Sequence, residues 1–252
     1  MAFDTFAFLP DGLALGAAIV LIALSFFTSA LTAAFGLGGG MAMLAALGLV
    51  MPPAILVPVH GAIQLGSNAG RAMVQRRHIQ WHTVLWFALG AIPGAMVGGG
   101  FAVALPETLF RVLIAAFILY SLWGPQPDIT GRGPLANLMA GVLISGLGMI
   151  TGVSGPLVAN FLRKIDDRRR LIATHATIMT SSNLAKVAVF SALGFAFSTY
   201  LPLVLAMIAS GFAGTLLGSR LLEHMPEKAF RLGFRLVLSL MAIEMLRSAV
   251  FW

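Results

Sequence analysis

Residue types that carry much of the chemistry of soluble proteins are scarce in this chain of 252 residues. It has no cysteine, which excludes disulfides, thiolate metal ligands and a cysteine nucleophile. Only 10% of the residues are charged, whereas a soluble domain carries about 25%. The glycine-rich stretch at residues 36–40 lacks the Gly-Lys-Ser/Thr sequence of a phosphate-binding loop. The chain is therefore not an ordinary soluble protein, and ATP is not its direct energy source.

The histidines give no indication of a metal site. There are five of them, and none belongs to a close cluster of histidines and carboxylates. A catalytic metal needs such a cluster. We therefore predict no metal and no cofactor, and a membrane-embedded enzyme is disfavoured.

Long apolar runs take the place of charge. Hydrophobic residues make up 59% of the chain, and several runs approach the roughly 20 residues that a helix needs to cross a hydrocarbon core of about 30 Å. The weak alternation typical of a membrane β-barrel is missing. The sequence predicts an all-α polytopic membrane protein, located in the cell (inner) membrane.

The chain repeats itself. A spacing of 115 residues relates His60 to His175, Ser67 to Ser182, Asn68 to Asn183 and Arg71 to Lys186. A second set of residues recurs after 120 residues, including Gly94 with Gly214 and Gly98 with Gly218. Polar residues in register over three motifs indicate a duplicated unit of about five segments. We predict a first transmembrane repeat at 1–123, a cytoplasmic linker at 124–134 and a second transmembrane repeat at 135–252.

Two of the ten predicted segments are too short to cross a membrane. The segments are 13–35, 41–51, 54–74, 81–102 and 107–123 in the first repeat, and 135–151, 156–162, 171–195, 200–222 and 229–250 in the second. The short ones, 41–51 and 156–162, each follow a glycine turn. Their lengths fit a re-entrant half-helix better than a full double pass, although both readings remain open. Irregular backbone at membrane depth is tolerated only inside protein or at a cavity, so the two turns point to a central cavity.

The distribution of basic residues predicts opposite orientations for the two repeats. Lys and Arg collect in cytoplasmic loops. Residues 71–78 are basic where the corresponding 190–199 are uncharged, and 163–170 are basic where 51–59 are uncharged. The repeats are therefore predicted to be inverted, with both termini outside. The net charge of +7 follows from the same loops, so we predict no nucleic-acid partner.

Polar residues that follow the two glycine turns form the predicted substrate site. They are spaced along one face of segment 54–74 and again of segment 171–195. Half-helices that begin at Gly39 or Gly155 would present free N–H groups and the positive end of a dipole to an oxyanion. The predicted substrate-binding residues are Gly38, Gly39, Gly40, His60, Gln64, Ser67, Asn68, Arg71, Ser154, Gly155, Thr174, His175, Ser182, Asn183 and Lys186.

Several of these residues have a structural alternative. A charge deep in a membrane needs a partner or a function, so Lys186 either contacts substrate or pairs with Glu244. Arg71 either belongs to the site or marks the cytoplasmic end of its helix. His60 and His175 either carry coupling protons near neutral pH or are hydrogen-bonded packing residues. The glycine turns either bind an anion or only allow close helix packing.

The chain resembles a known family. Gly36-Leu37-Gly38-Gly39-Gly40, its counterpart Gly152-Val153-Ser154-Gly155-Pro156, and the stretch from Ala173-Thr174 to Asn183 and Lys186 are similar to the TauE/SafE sulfite exporter family over nearly the whole length. The resemblance implies a transporter of sulfite, sulfonates or other organosulfur anions. One departure is that residues 41–48 lack the proline that often follows the first turn in the family.

The sequence thus favours a secondary transporter that moves a small organosulfur anion across the cytoplasmic membrane by alternating access of two inverted halves. An anion channel and a non-transporting structural membrane subunit are the alternatives. The expected partners are a small anionic substrate, the lipid bilayer and a coupling proton. The oligomeric state remains open.

Overall fold

The computed structural model describes residues 13–35, 38–125, 129, 133–221 and 227–251. Within these ranges the regular structure is helical, as predicted. The helices are α1 Leu15–Phe35, α2 Gly39–Gly48, α3 Pro53–Val74, α4 Trp81–Ala104, α5 Glu107–Trp123, α6 Pro134–Thr151, α7 Gly155–Phe161, α8 Arg168–Ala192, α9 Leu201–Leu221 and α10 Glu227–Phe251. Gly36 and Leu37 of the first turn, most of the predicted linker and the chain termini lie outside the described residues.

Each predicted segment corresponds to one helix, and the two short segments are short helices. The half-helices begin at Gly39 and Gly155, as predicted. A left-handed backbone conformation precedes each of them, at Gly38 with φ 106° and at Gly152 with φ 77°. Glycine adopts this region without a steric penalty, which explains the glycine turns.

Among the described residues, four helices have the length and composition of membrane spans. They cover Leu15–Ala33, Trp81–Ala104, Pro134–Thr151 and Phe197–Leu217, which places them in α1, α4, α6 and α9. Their outer faces expose large apolar side chains, for example Leu89 and Phe212. Such contiguous apolar surface suits lipid rather than water. These features fit a multi-pass membrane protein.

Helix α2 lies inside the protein instead of at its lipid face. Nine of its ten residues are buried, and Leu44 and Leu47 are fully enclosed. Ten residues of α-helix span only about 15 Å, half of a hydrocarbon core. A helix of this length at membrane depth is expected to be surrounded by protein, because its free ends need polar partners.

Glycines allow the apolar helices to pack backbone against backbone. On α4, a Cβ atom added at Gly94 would collide with the carbonyl oxygen of Val142 on α6. On α9, one added at Gly214 would collide with the carbonyl of Phe26 on α1. Gly94 and Gly214 are equivalent in the predicted repeat. The packing role of small residues in membranes therefore holds for this pair.

The contacts between helices follow the same equivalence. Each helix of the first half corresponds to the helix five places later in the chain. The extensive pair α1–α9 has its counterpart in α6–α4, and α3–α9 has its counterpart in α8–α4. The remaining large contacts join equivalent helices directly, α3 with α8 and α5 with α10. These contacts are consistent with the predicted repeat.

Replacing Gly94 by alanine is expected to destabilise the protein by about 1–3 kcal/mol, since the added methyl group must push α4 away from α6. Gly100 on the same helix is the matched control, because a Cβ atom there meets nothing within 4 Å. Thermal unfolding in detergent measures both variants. Equal melting temperatures for Gly94→Ala and Gly100→Ala would contradict the packing role.

Candidate functional site

The predicted polar stripes lie at the contact between α3 and α8. Two of the residues on these stripes, Gln64 and Ser67, are half-buried. The others are almost entirely enclosed, with exposed fractions of 8% or less: His60, Asn68 and Arg71 on α3, and Thr174, His175, Ser182, Asn183 and Lys186 on α8. The stripes therefore face protein and not lipid, as a binding site in a membrane requires.

Helices α3 and α8 are antiparallel. Near the start of α3, the aliphatic chain of Lys186 packs on Gly61, where an added Cβ atom would lie 2.7 Å from Lys186 Cδ. Lys186 also interacts electrostatically with His60. Near the end of α3, Arg71 interacts electrostatically with His175. The first part of α3 thus lies near the last part of α8, and the last part of α3 lies near the first part of α8.

The two histidines make the same hydrogen bond in the two halves. His60 Nε2 lies 2.9 Å from the carbonyl oxygen of Gly40, and His175 Nε2 lies 3.1 Å from that of Gly155. A carbonyl only accepts, so Nε2 carries the proton in both rings. Gly40 and Gly155 are themselves 115 residues apart, the spacing that relates the histidines. Each histidine therefore ties the first turn of a half-helix to a polar stripe.

Lys186 is a buried cation without a carboxylate partner among the described residues. Its exposed fraction is 3%, and its Nζ donates to the carbonyl oxygen of Gly152 at 2.9 Å. Glu244, the alternative partner, instead pairs with Arg247 at 2.6 Å on an exposed surface. The pairing of Lys186 with Glu244 is not formed.

Arg71 also points into the protein. Its Nη1 donates to Asn68 Oδ1 at 3.3 Å, and Asn68 in turn donates to the backbone carbonyl of Gln64 at 2.8 Å. The Nε atom of Arg71 is buried and has no hydrogen-bond partner. Across the part of the chain that the structure describes, no carboxylate pairs with Arg71.

The α3–α8 contact therefore holds an excess of positive charge and of unused donors. Besides Arg71 Nε, the side-chain amide nitrogen of Asn183 is buried and has no hydrogen-bond partner. Lys186 uses one of its three N–H groups in a described bond. Unpaired buried charges and donors are costly. A bound oxyanion would neutralise the buried charges and would accept charge-assisted hydrogen bonds from the unused donors.

Some predicted residues are engaged in contacts between helices. Thr174 Oγ1 accepts from the backbone N–H of Gln80 at 3.1 Å. Ser182 bonds the hydroxyl of Ser145 at 3.1 Å. Ser154 Oγ lies 3.7 Å from the sulfur of Met179, which occupies the position equivalent to Gln64. The stripe of the second half is therefore less polar than that of the first.

Helix α1 contributes polar residues that the sequence analysis missed. A small cavity of about 10 Å³, room for the centre of one water molecule, lies between α1, the start of α2 and α3. The hydroxyls of α1 that line it belong to Ser25, Thr28, Ser29 and Thr32, and they face Gly39, Gly40, Gln64 and Ser67. Their spacing of three and four residues on an otherwise apolar helix was the available signal.

Long helices with apolar outer faces and a buried, positively charged contact between α3 and α8 are features of a membrane transporter. The comparison with known families agrees. The chain belongs to the sulfite exporter TauE/SafE family, whose model matches residues 21–245.

Two curated relatives are similar to the chain over different lengths. A probable membrane transporter protein of Haemophilus influenzae is 28% identical over 185 residues, which cover 68% of this chain and 72% of the relative. A probable sulfite/organosulfonate exporter TauE of Cupriavidus necator is 31% identical over 139 residues, 52% of this chain and 54% of the relative. No solved structure matches the chain.

Proposed function

We propose that the chain is a secondary transporter that moves a small sulfur oxyanion, sulfite or a sulfonate, across the cell (inner) membrane. The observation that carries this proposal is the presence of two buried cations, Lys186 and Arg71, without carboxylate partners among the described residues. Sulfite and sulfonate groups each offer several oxygens to charged donors. The family, and the name of the Cupriavidus necator relative, favour the same substrate class.

The two halves, 1–123 and 135–252, are proposed to be inverted repeats joined by a cytoplasmic linker at 124–134. Helices α3 and α8 are equivalent and antiparallel, so a two-fold axis between them is perpendicular to both. If both helices cross the bilayer, that axis lies in the membrane plane, and this is the geometry of inverted repeats. Loops 71–78 and 163–170 are basic where the corresponding loops 190–199 and 51–59 are uncharged, and this contrast supports the orientation. Alternating access then follows from an exchange of conformations between the halves.

The substrate is proposed to bind at the α3–α8 contact and the adjoining half-helix α2. The charged and amide donors are Lys186, Arg71, Asn183 and Asn68. The remaining members of the proposed binding set are Gly38, Gly39, Gly40, His60, Gln64, Ser67, Ser154, Gly155, Thr174, His175 and Ser182. The hydroxyls of α1 add to the first half.

Transport assays with purified protein in liposomes test the proposed function. Uptake of radiolabelled sulfite and methanesulfonate should be saturable and should exceed that of a neutral control such as urea. Unlabelled sulfite on the opposite side should accelerate it, since a transporter exchanges substrate whereas a channel does not. Flux of neither anion, or flux without such acceleration, would contradict a secondary transporter of this class.

Single cysteines in this cysteine-free chain should report opposite sidedness for two loops. Ala54, before the polar part of α3, and Asp166, before α8, are both exposed. We expect an impermeant maleimide to label Ala54→Cys from outside intact cells and Asp166→Cys only after the membrane is opened. Labelling of both positions from one side would exclude the inverted arrangement.

We also propose that transport is coupled to protons through His60 and His175. Their equal hydrogen bonds to the half-helices link a titratable group in each half to the turn that must move. Replacing both by glutamine keeps a donor but removes the titration. We expect the double variant to lose most of the stimulation by an imposed pH gradient, while residual flux at equal pH persists. His82→Gln, on an exposed site of α4, is the control. Unchanged stimulation would leave the histidines as packing residues.

A further inference from the structure

Each of the two stripe histidines lies within electrostatic range of a cation of the other half, and the arrangement is reciprocal. The histidine of the first half, His60, interacts with Lys186 of the second. The histidine of the second half, His175, interacts with Arg71 of the first. The repeat relates His60 to His175 and Arg71 to Lys186. Because α3 and α8 are antiparallel, each histidine instead lies near the cation of the other helix, which gives two cationic clusters.

The two clusters lie at different levels of the α3–α8 pair. His60 and Arg71 are separated by eleven residues on α3, and His175 and Lys186 by eleven on α8. Eleven residues of α-helix rise roughly 16 Å. A contact with Gly152 holds the ammonium of Lys186 at one level, and a contact with Asn68 holds the guanidinium of Arg71 near the other.

We propose that the chain has two anion-binding stations in place of a single central site. The Lys186 station consists of Lys186, His60 and Asn183, and the Arg71 station of Arg71, His175 and Asn68. This inference rests on the proposed function and adds to it how the binding site is divided. The backbone positions that carry the two cations lie further apart than a single sulfite ion extends.

Each station has its own unused donors. At the Lys186 station they are the amide nitrogen of Asn183, one helical turn before Lys186, and the N–H groups of Lys186 that Gly152 does not use. At the Arg71 station the unused donor is Nε, and the guanidinium has further N–H groups in its fixed fork. Both sets suit an oxyanion. Both stations also contact the turn at 152–155, since Gly152 accepts from Lys186 and Gly155 from His175.

The stations differ in the kind of cation. A guanidinium binds two oxygens of one oxyanion side by side, whereas an ammonium acts as a point charge. The Arg71 station is therefore the more selective one for a planar pair of oxygens. The Lys186 station tolerates a wider range of oxyanions. In a transport cycle the anion would pass from one station to the other.

Counting the sulfite ions bound per chain tests the proposal. Equilibrium dialysis of the purified protein against radiolabelled sulfite, under anaerobic conditions, should approach two ions per chain for the wild type. The second ion should bind roughly fivefold more weakly than the first, because the two negative charges repel across the low-dielectric interior. Lys186→Met and Arg71→Met should each bind one ion, and the double variant should bind none.

Conservative and surface variants are the controls. Lys186→Arg and Arg71→Lys keep the charges and should still bind two ions with altered affinities, while Arg77→Met removes an exposed charge and should match the wild type. One ion per wild-type chain, weakened by either methionine variant, would overturn the two stations and leave the proposed function standing. A wild type with no saturable sulfite binding would contradict the proposed function itself. Because the wild-type count decides between one and two sites, the test holds even if a methionine variant does not fold.

Discussion

Lys186→Met is expected to weaken substrate binding about ten- to a hundredfold without destabilising the protein. A desolvated ammonium that donates to an oxyanion contributes roughly 1.5–3 kcal/mol, and methionine removes it while keeping the length of the side chain. Because no described carboxylate pairs with Lys186, no buried acid is left behind. Removal of an unpaired buried charge relieves its desolvation cost. The change removes the hydrogen bond to Gly152 and the electrostatic interaction with His60.

The measurement compares sulfite affinity and detergent melting temperature for Lys186→Met, Lys186→Arg and the exposed control Lys164→Met. We expect Lys186→Arg to recover part of the affinity, because the charge returns with a different shape. If Lys186→Met binds as many sulfite ions as the wild type, each with wild-type affinity, Lys186 is not part of the site. A large fall in melting temperature with normal affinity would assign it a structural role.

The positions of the helices could be predicted from the sequence because apolar length and glycine turns are local signals. The two half-helices illustrate this. Gly38, directly before the first half-helix, and Gly152, at the end of α6 before the second, adopt the left-handed backbone conformation that glycine favours. The apolar segments outside these turns are long enough to cross the hydrocarbon core, so they predict membrane helices.

The composition of the candidate site was only partly predictable. The repeat identifies equivalent residues, but it does not say which of them meet across the halves. The proximity of His60 and Lys186 depends on the register of two antiparallel helices. That register is set by side-chain packing, for example of Lys186 on Gly61. The sequence itself argued against a pairing of Lys186 with Glu244. Glu244 and Arg247 are three residues apart on one helix, a spacing at which they can pair with each other.

The polar face of α1 was missed for a different reason. A strongly apolar helix is predicted to face lipid from its mean hydropathy. Four hydroxyl-bearing residues change that mean very little. The hydroxyl of Thr28 donates a hydrogen bond to the carbonyl oxygen of Ser25 at 3.3 Å, and that of Thr32 donates to the carbonyl oxygen of Thr28 at 2.8 Å. Such bonds to the preceding turn let a hydroxyl remain in an apolar helix. Only the structure places them against the start of α2.

Gly39→Ala is expected to be as damaging to transport as the loss of Lys186, and to destabilise the protein as well. A Cβ atom at Gly39 would collide with the carbonyl oxygen of Thr28 and with Thr32 Oγ1 on α1. Relieving that collision moves the start of α2, and with it the carbonyl of Gly40 that accepts from His60. Overpacking of this kind costs about 1–3 kcal/mol, more than the helix propensity that alanine gains.

Gly155→Ala is the matched control for this change, because alanine keeps the backbone N–H through which Gly155 belongs to the proposed binding set. At Gly155 an added Cβ atom meets only His175 Nε2, at 4.0 Å, which is an ordinary contact. The residue equivalent to Gly39 in the second half is Ser154, which already carries a side chain, and Gly148 on α6 makes room for it. We therefore expect Gly155→Ala to keep near wild-type flux and melting temperature, and Gly39→Ala to lose both. If the two variants behave alike in sulfite transport and thermal unfolding, the close approach of α1 and α2 at Gly39 is not required for the site.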